Sequence, residues 1–490
     1  MSKTGADYLR GIKDDRQIYL DGKLVENPTD HPAFKPIYEA SSRLYDYQAA
    51  NEELMTITSP TNGKRVARHW DIPLDTEALI MRGKAHIAMA EQSCGFFGRS
   101  PDAVGGCFAG MVANVDFFRD DNDARANAAL GYFEHIRDND LFLTFTIVNP
   151  QGDRSKAVGD QGSKYHTCCV VDEDTSGITV SGAKMLGTSA VVADEIFTGV
   201  QNPLSADDKD YALSFAMPMG ANGIKILSRR SYATAASSEF DYPLSTHFDE
   251  NDSIIYFDEV KVPWDRVFVF RRPDLVQAQF HRTYGEAFLT LQGQARLLVK
   301  MRFMAGLARR ITETIGTINF PPVQQSLGWL SMKVTMVDAV FRSLLHDPVK
   351  WNGYSLPRKD TLYGVMAYTQ DLYGSFLQEI RELAGGGLIM LPSSVEDFGS
   401  AEVKPIIEQT QRSSHVDSET RVKIMKLAWD ALGSEFASRH ALYELFYAGP
   451  PFVARDRCFR SFDWESGTRL VDEFMDSYKL EASLTTGLNR

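Results

Sequence analysis

Cysteine is scarce: five in 490 residues, with no regular spacing. That excludes a disulfide framework and points to a reducing compartment. Cys168 and Cys169 are adjacent and read as two small hydrophobes on a strand. No run of 18 or more apolar residues occurs, so no membrane-spanning helix is expected. The stretch from Met1 to Arg16 is polar and lacks the apolar core of a secretory signal, so a cytoplasmic location is expected. Basic residues are the minority, 52 Lys plus Arg against 65 Asp plus Glu, for a net charge of −13. Such a surface repels nucleic acid and anionic membrane, and neither is an expected partner. Motifs are missing too. No Gly-x-Gly-x-x-Gly follows a strand, and there is no Walker loop, Gly-x-Ser-x-Gly elbow, His-Glu-x-x-His or Cys-x-x-Cys. The ten histidines are scattered, so local spacing predicts no metal site.

What is present is ordinary globular composition, 43% hydrophobic and 24% charged, in a chain long enough for two or three domains. The hydrophobic period changes twice. From about 75 to 137 it is helical, with capping polarity at Asp75 and Thr76. From about 139 to 272 it reads as strand: Leu141 to Val148 ends in the turn Asn149–Pro150, and Gly177 to Val180, Ser253 to Phe257 and Val260 to Val262 continue the pattern up to Pro263. Beyond 275 it is helical again. Apolar stripes run through Leu297, Met301, Met304, Ala308 and Ile311, through Leu327, Leu330, Val334, Val337, Phe341 and Leu344, and through Val422, Met425, Trp429, Leu432 and Phe436. Long amphipathic helices need partners, which predicts a bundle. The expected fold is α+β in three parts: a mainly helical domain over 1–138, a β-barrel domain over 139–274, and a C-terminal helical bundle with tail over 275–490. This order is that of the acyl-CoA dehydrogenase architecture.

Four polar stretches stand at element ends, where ligand groups gather. Gly98–Arg99–Ser100–Pro101–Asp102 sits where a helix breaks; Arg99 suits a flavin carbonyl or a substrate oxyanion, or a helix-end pair with Asp102. Asn149–Pro150–Gln151–Gly152–Asp153–Arg154–Ser155 follows a strand, and reads either as a solvated turn or as donors for an isoalloxazine edge. Ser181 to Ser189 offers the Thr188 hydroxyl, or is a hairpin turn. On a helix, Arg439 and His440 suit an adenine or phosphate, while Arg439 with Glu435 at i,i+4 makes an ordinary salt bridge.

In order and spacing, these stretches resemble the oxygenase component of the 4-hydroxyphenylacetate 3-monooxygenase family, which includes chlorophenol and nitrophenol monooxygenases. The resemblance starts at Gly5–Ala6–Asp7–Tyr8–Leu9 and passes through His31–Pro32–Ala33–Phe34, Gly98 to Asp102, Val180 to Lys184, Asp241 to Ser245, Phe248 to Asp252 and Gly387 to Ser394. It reaches Gly433 to Phe436, Arg439–His440 and Tyr443–Glu444, covering nearly the whole chain to about residue 450. It implies an FADH2-dependent aromatic monooxygenase. Reduced FAD, supplied by a separate NAD(P)H:flavin reductase, reacts with O2 through a C4a-hydroperoxyflavin to hydroxylate a phenolic ring, with or without loss of halide or nitrite. A homotetramer is implied as well. Carried over by position, Arg99 is the active-site arginine beside flavin and substrate. Thr146, Val148, Gln151, Arg154, Thr188, Gly449 and Phe452 are expected at the flavin, and Ala103, Phe145 and Gln201 at the substrate.

Several departures bear on substrate and base. Where the 4-hydroxyphenylacetate enzymes carry a Tyr two residues after the Pro of Gly-Arg-Ser-Pro, this chain has Ala103; where they carry a His four residues before the Asn of Asn-Pro, it has Phe145. A larger or less polar aromatic than 4-hydroxyphenylacetate is expected. Gln294, with Gln292 nearby, stands where some relatives place a His, which leaves His281 and Gln294 as candidates for the catalytic position. The rival readings are a flavin-dependent dehydratase or dehydrogenase of the same fold, and a non-enzymatic scaffold with a decayed flavin site. Cys94 falls where the dehydratase's first cluster ligand lies, but Gly98 stands at the second.

Overall fold

The computed structural model describes residues 2–479 and runs helix, sheet, helix. Asp75 caps the helix Thr76–Glu91 by accepting from Ala78 N at 2.8 Å. The next helix, Pro101–Val112, begins with proline at its first turn and is buried along its whole length. Gly98 and Arg99 therefore fall in the short link between two buried helices. A third helix, Asp123–Asp138, closes this region.

The middle of the chain forms two open sheets, not the expected barrel. The larger has strands in the order Lys23–Leu24, Gln17–Leu20, Ile224–Ser228, Ser253–Pro263, Gly177–Lys184, Cys169–Asp174. The smaller has the order Val267–Phe270, Leu213–Pro218, Glu195–Thr198, Leu143–Thr146. Closure fails for two visible reasons. The first two strands of the larger sheet come from the N-terminal region: Gln17–Leu20 pairs in parallel with Ile224–Ser228 and Lys23–Leu24 pairs antiparallel with Gln17–Leu20, which extends that sheet outward. The strand read from Leu141 to Val148 is only four residues long, and Val148 makes an isolated bridge to Met185. The two sheets pack face to face over Ile178, Val180, Phe215, Ile226, Ile255 and Phe257, all essentially inaccessible.

The C-terminal region is a helical bundle whose spine is Gly285–Thr314, packed against Pro101–Val112, Thr76–Glu91, Pro321–His346 and Lys359–Ala384. The apolar stripe read from Val422 to Phe436 is not one helix. Ser434 accepts from Ala437 N at 3.1 Å and starts a second one, so the chain breaks at Gly433–Ser434 into Ser418–Leu432 and Glu435–Phe446. The second helix is fastened to the spine by buried charge. Glu444 takes both guanidinium nitrogens of Arg296, at 2.6 and 2.7 Å, and the Lys300 ammonium at 2.5 Å. Burial pushes the Glu444 carboxyl up, but Arg296 and Lys300 outweigh it and bring it down to about 2. No described helix is long and apolar enough to cross a membrane.

Glu444→Gln keeps the shape and leaves two buried cations without a counter-charge. It should cost about 3–5 kcal/mol in urea denaturation at neutral pH. The carboxylate's contribution is present above its ordinary value of 4.5 and is lost as pH falls toward 2, so the gap between variant and wild type should close on acidification. An unchanged midpoint at pH 7 would show that the triad contributes no stability.

Candidate active site

A cleft of about 1460 Å³ opens where the helical link, the sheets and the bundle meet. This exceeds the roughly 300–1,000 Å³ of a typical small-molecule pocket and leaves room for a dinucleotide and a ring together.

Arg99 is at its centre. Its backbone N–H donates to Glu250 Oε1 at 2.6 Å, which fixes the link. Its guanidinium is caged by aromatic faces, 4.6 Å from the Tyr447 ring centroid, 4.8 Å from Phe145 and 5.6 Å from Tyr443. Its Nη1 is buried and has no hydrogen-bond partner among the described residues. The alternative pairing with Asp102 is not made: that carboxylate is held by His86 Nδ1 at 2.7 Å and Ser100 Oγ at 2.5 Å. Arg99 therefore offers a desolvated positive charge to the cleft, the environment that favours a bound oxyanion. Two glycines make the cage possible. A Cβ on Gly98 would lie 2.5 Å from the Tyr443 hydroxyl, and one on Gly293 would lie 2.5 Å from the Tyr447 ring.

The opposite wall is a charge network. Arg439 spans Asp252, at 2.7 and 3.0 Å, and Glu250 Oε2, at 2.8 Å. Arg229 reaches Asp252 and Asp249. Arg439 is thus committed to these carboxylates rather than to Glu435, and His440 is buried against the Lys300 ammonium at 3.1 Å, away from the cleft. Thr188 lines the cleft and donates its hydroxyl to Asp252 at 2.7 Å, leaving its lone pairs to accept from a ligand. The backbone here is strained: Leu186, Ser189 and Asn251 have φ of 60°, 63° and 47°. Non-glycine residues hold such angles only where surroundings over-determine them, and they concentrate at functional sites.

The cleft brings together Arg99, Phe145, Val148, Gln151, Arg154, Thr188, Gln201, Gly449 and Phe452 of the expected residues. Gln151 and Arg154 lie on an exposed loop and hydrogen-bond to each other. Four expected residues do not line it. Ala103 is sealed inside its helix, and Thr146 is inaccessible and donates to the Met185 carbonyl at 3.0 Å. Gln294, expected at the catalytic position, is buried in the bundle against Thr369 at 3.3 Å and lies outside the cleft lining. His281 lies behind Glu286, its Nδ1 hydrogen-bonded to Glu286 Oε2, and does not reach the cleft itself.

Several lining residues were not singled out from sequence. Tyr443 and Tyr447 follow the already singled-out Arg439 at four-residue steps, a spacing that was legible. Glu250 and Asp252 sit in an acid-rich turn before a strand. Glu286 and Arg457 carried no local signal. Arg457, from the helix Pro451–Ser461, forms an ion pair with Glu286 without a directed hydrogen bond, and Tyr363 donates to Glu286 at 3.0 Å. Burial raises the Glu286 carboxyl, but the hydrogen bond from His281 leads the contacts that bring it below its ordinary range.

A family model described as 4-hydroxyphenylacetate 3-hydroxylase N terminal matches residues 4–269, and its counterpart for the C terminal matches 276–476. The 4-hydroxyphenylacetate 3-monooxygenase oxygenase component of Geobacillus sp. is 30% identical, over 98% of this chain and 97% of its own. A (3S)-3-amino-3-(3-chloro-4-hydroxyphenyl)propanoyl-[peptidyl-carrier protein] monooxygenase of Streptomyces globisporus is 33% identical, over 96% of this chain and 89% of its own. Among solved structures, the oxygenase component of 4-hydroxyphenylacetate 3-monooxygenase complexed with FAD superimposes with a TM-score of 0.92 at 29% identity, covering 97% of this chain and 99% of that one.

The Glu286–Arg457 pair holds the helix Pro451–Ser461 against the cleft, helped by Gln370, which donates to the Gly449 carbonyl at 3.0 Å. Arg457→Met should raise amide hydrogen exchange across 449–461 several-fold while leaving 285–314 protected. Unchanged exchange in 449–461 would show that the ion pair does not secure this wall.

Proposed function

The chain belongs to the 4-hydroxyphenylacetate 3-hydroxylase family, and on that premise we propose that it is the oxygenase component of a two-component aromatic monooxygenase using reduced FAD and O2. The observation that carries this reading is Arg99, a buried cation in an aromatic cage with one nitrogen unpartnered, facing a cleft large enough for flavin and ring. The residues present fit FAD. Gln151 and Arg154 supply donors on the loop after the strand, Thr188 supplies an acceptor, and Gly449 and Phe452 close the side formed by the C-terminal helix. When bound, reduced FAD supplies the electrons that activate O2, so that one oxygen atom enters the ring and the other leaves as water.

The chain's own residues bind, orient and polarise. Phe145 and Tyr447 flank the Arg99 guanidinium and give a ring flat faces to pack on. Arg99 draws the phenol toward its phenolate, which makes the ring electron-rich at the carbon to be hydroxylated. Phe145 stands where the family's polar substrate partner lies, and Ala103 is withdrawn from the cleft. The substrate is therefore a phenol with fewer polar demands than 4-hydroxyphenylacetate, such as a halogenated, nitrated or larger one.

We infer that the enzyme works in the cytoplasm as a homotetramer supplied by a separate NAD(P)H:flavin reductase. Free cysteines and an acidic surface support the location. Exposed Trp329, Met332 and Met336 on one bundle helix, and Leu470, Val471 and Phe474 on the helix Trp464–Asp476, support burial between subunits. The family does not favour the dehydratase, dehydrogenase or decayed-scaffold readings.

Photoreduced FAD mixed anaerobically with the protein, then with O2 and a panel of chlorophenols, nitrophenols and 4-hydroxyphenylacetate, should give a ring-hydroxylated product from at least one phenol. Reoxidation to FAD with only free peroxide across the panel would overturn the reading. Arg99 can be tested without turnover. 4-Nitrophenol should titrate to its yellow phenolate at lower pH bound than free, and Arg99→Met should reduce that displacement by about 1–3 pH units. Equal titration in variant and wild type would remove Arg99 from the oxyanion role.

A further inference from the structure

Lys184 ends the strand Gly177–Lys184 and is 1% exposed. Its ammonium carries three donors, yet its one hydrogen bond among the described residues goes to Asn149 Oδ1 at 2.7 Å, and it takes part in no ion pair there. Burial brings it down to about 8. An isolated buried cation is expensive, and such groups are kept where function uses their charge.

The geometry of Asn149 indicates the use. Its Oδ1 receives both Lys184 Nζ and the Thr167 hydroxyl, the latter at 2.8 Å. Lysine can only donate, so the amide oxygen must face it, and the Nδ2 group is turned the other way. That NH2 makes no hydrogen bond to the described residues, and Asn149 lines the cleft with Gln151, Arg154 and Thr188. A committed oxygen, a free donor and a desolvated positive charge behind them make a built site for an acceptor that carries negative charge.

Resting on the FAD reading above, we propose that Lys184 is a positioning residue that locks the Asn149 amide toward the flavin and biases the cleft toward the reduced, anionic isoalloxazine over the oxidised, neutral one. An oxygenase that takes up its flavin already reduced and must release it oxidised needs this preference, and Lys184 supplies it from beneath the loop without touching the ring. The cations that line the cleft are differently placed: Arg229, Arg439, Arg230, Lys156 and Arg457 are paired with carboxylates, Arg99 is enclosed by the aromatic cage, and Arg154 is solvated on the exposed loop beside Gln151.

The test is the affinity of oxidised FAD and of anaerobically reduced FAD for wild type and for Lys184→Met, with the reduction potential of bound flavin as a second readout. Wild type should prefer the reduced form. Lys184→Met should weaken reduced FAD about tenfold, change oxidised FAD far less, and lower the potential of the bound flavin. Equal weakening of both forms, or none, overturns the proposal, since a purely structural lysine would not alter their ratio. A measurement on wild type alone guards against a variant that does not fold. The preference should be full below about pH 8 and decline above it as Lys184 loses its proton. Cys168, the titratable group facing it, is pushed up to about 12 by burial and stays neutral across that range. A ratio constant across that range overturns the proposal. If wild type binds neither form, the flavin reading itself fails. If it binds both and hydroxylates a phenol while the ratio ignores Lys184, this inference alone fails.

Discussion

The Glu250 carboxylate joins three parts of the chain at one point. It belongs to the turn before the strand Ser253–Pro263, accepts the backbone N–H of Arg99 from the helical link, and accepts Arg439 from the bundle. Glu250 is 1% exposed, so each bond is made in a medium where an unmet partner would be costly. The position of Arg99 is therefore set by its backbone, which leaves the guanidinium free of structural duty. Had Arg99 been held through its side chain, as the alternative pairing with Asp102 would require, it would have no charge to offer a ligand.

The same division recurs around the cleft. Charges that hold the walls are neutralised in groups: Arg439 and Arg229 by Glu250, Asp252 and Asp249, and Arg296 and Lys300 by Glu444. Charges without a structural counter-charge are left incomplete, Arg99 at the cleft by one nitrogen and Lys184 beneath it by all but one hydrogen bond among the described residues. Backbone strain follows the neutralised group. Leu186, Ser189 and Asn251 flank Thr188 and Asp252, and the surrounding ion pairs hold them in left-handed conformations that would otherwise relax.

Much of this was legible in the sequence, and the failures have physical causes. Helical period, Asp75 as a cap and Pro101 at a helix start located the helices around Arg99, because these are local rules. Sheet closure was not legible: it depends on where Gln17–Leu20 docks, a long-range pairing with Ile224–Ser228 that no periodicity encodes. Nor was the break at Gly433, since the apolar stripe runs through it and only the capping serine interrupts the backbone. Gln294 was a candidate from its matched position alone, and His281 as the nearest histidine in sequence. A residue's register on a helix shows which face it shares, but not whether a neighbour such as Thr369 or Glu286 has already claimed it. Arg457 and Glu286 are separated by the length of the bundle in sequence and meet only after it folds.

That leaves the question of what performs the chemistry in a cleft whose charged residues are mostly committed. Asp252 is held ionised by two arginines, and the Tyr443 and Tyr447 hydroxyls are pushed up by burial. None of these is suited to take a proton from a phenol near neutral pH. On the proposed reading, Arg99 removes much of that need, because a desolvated guanidinium lowers the cost of the phenolate before any base acts. The aromatic face of Phe145 beneath the guanidinium keeps water from screening it. On the proposed reading, the site works by arranging fixed charge around a ring and a flavin, with Arg99 acting on one and the Asn149–Lys184 pair on the other.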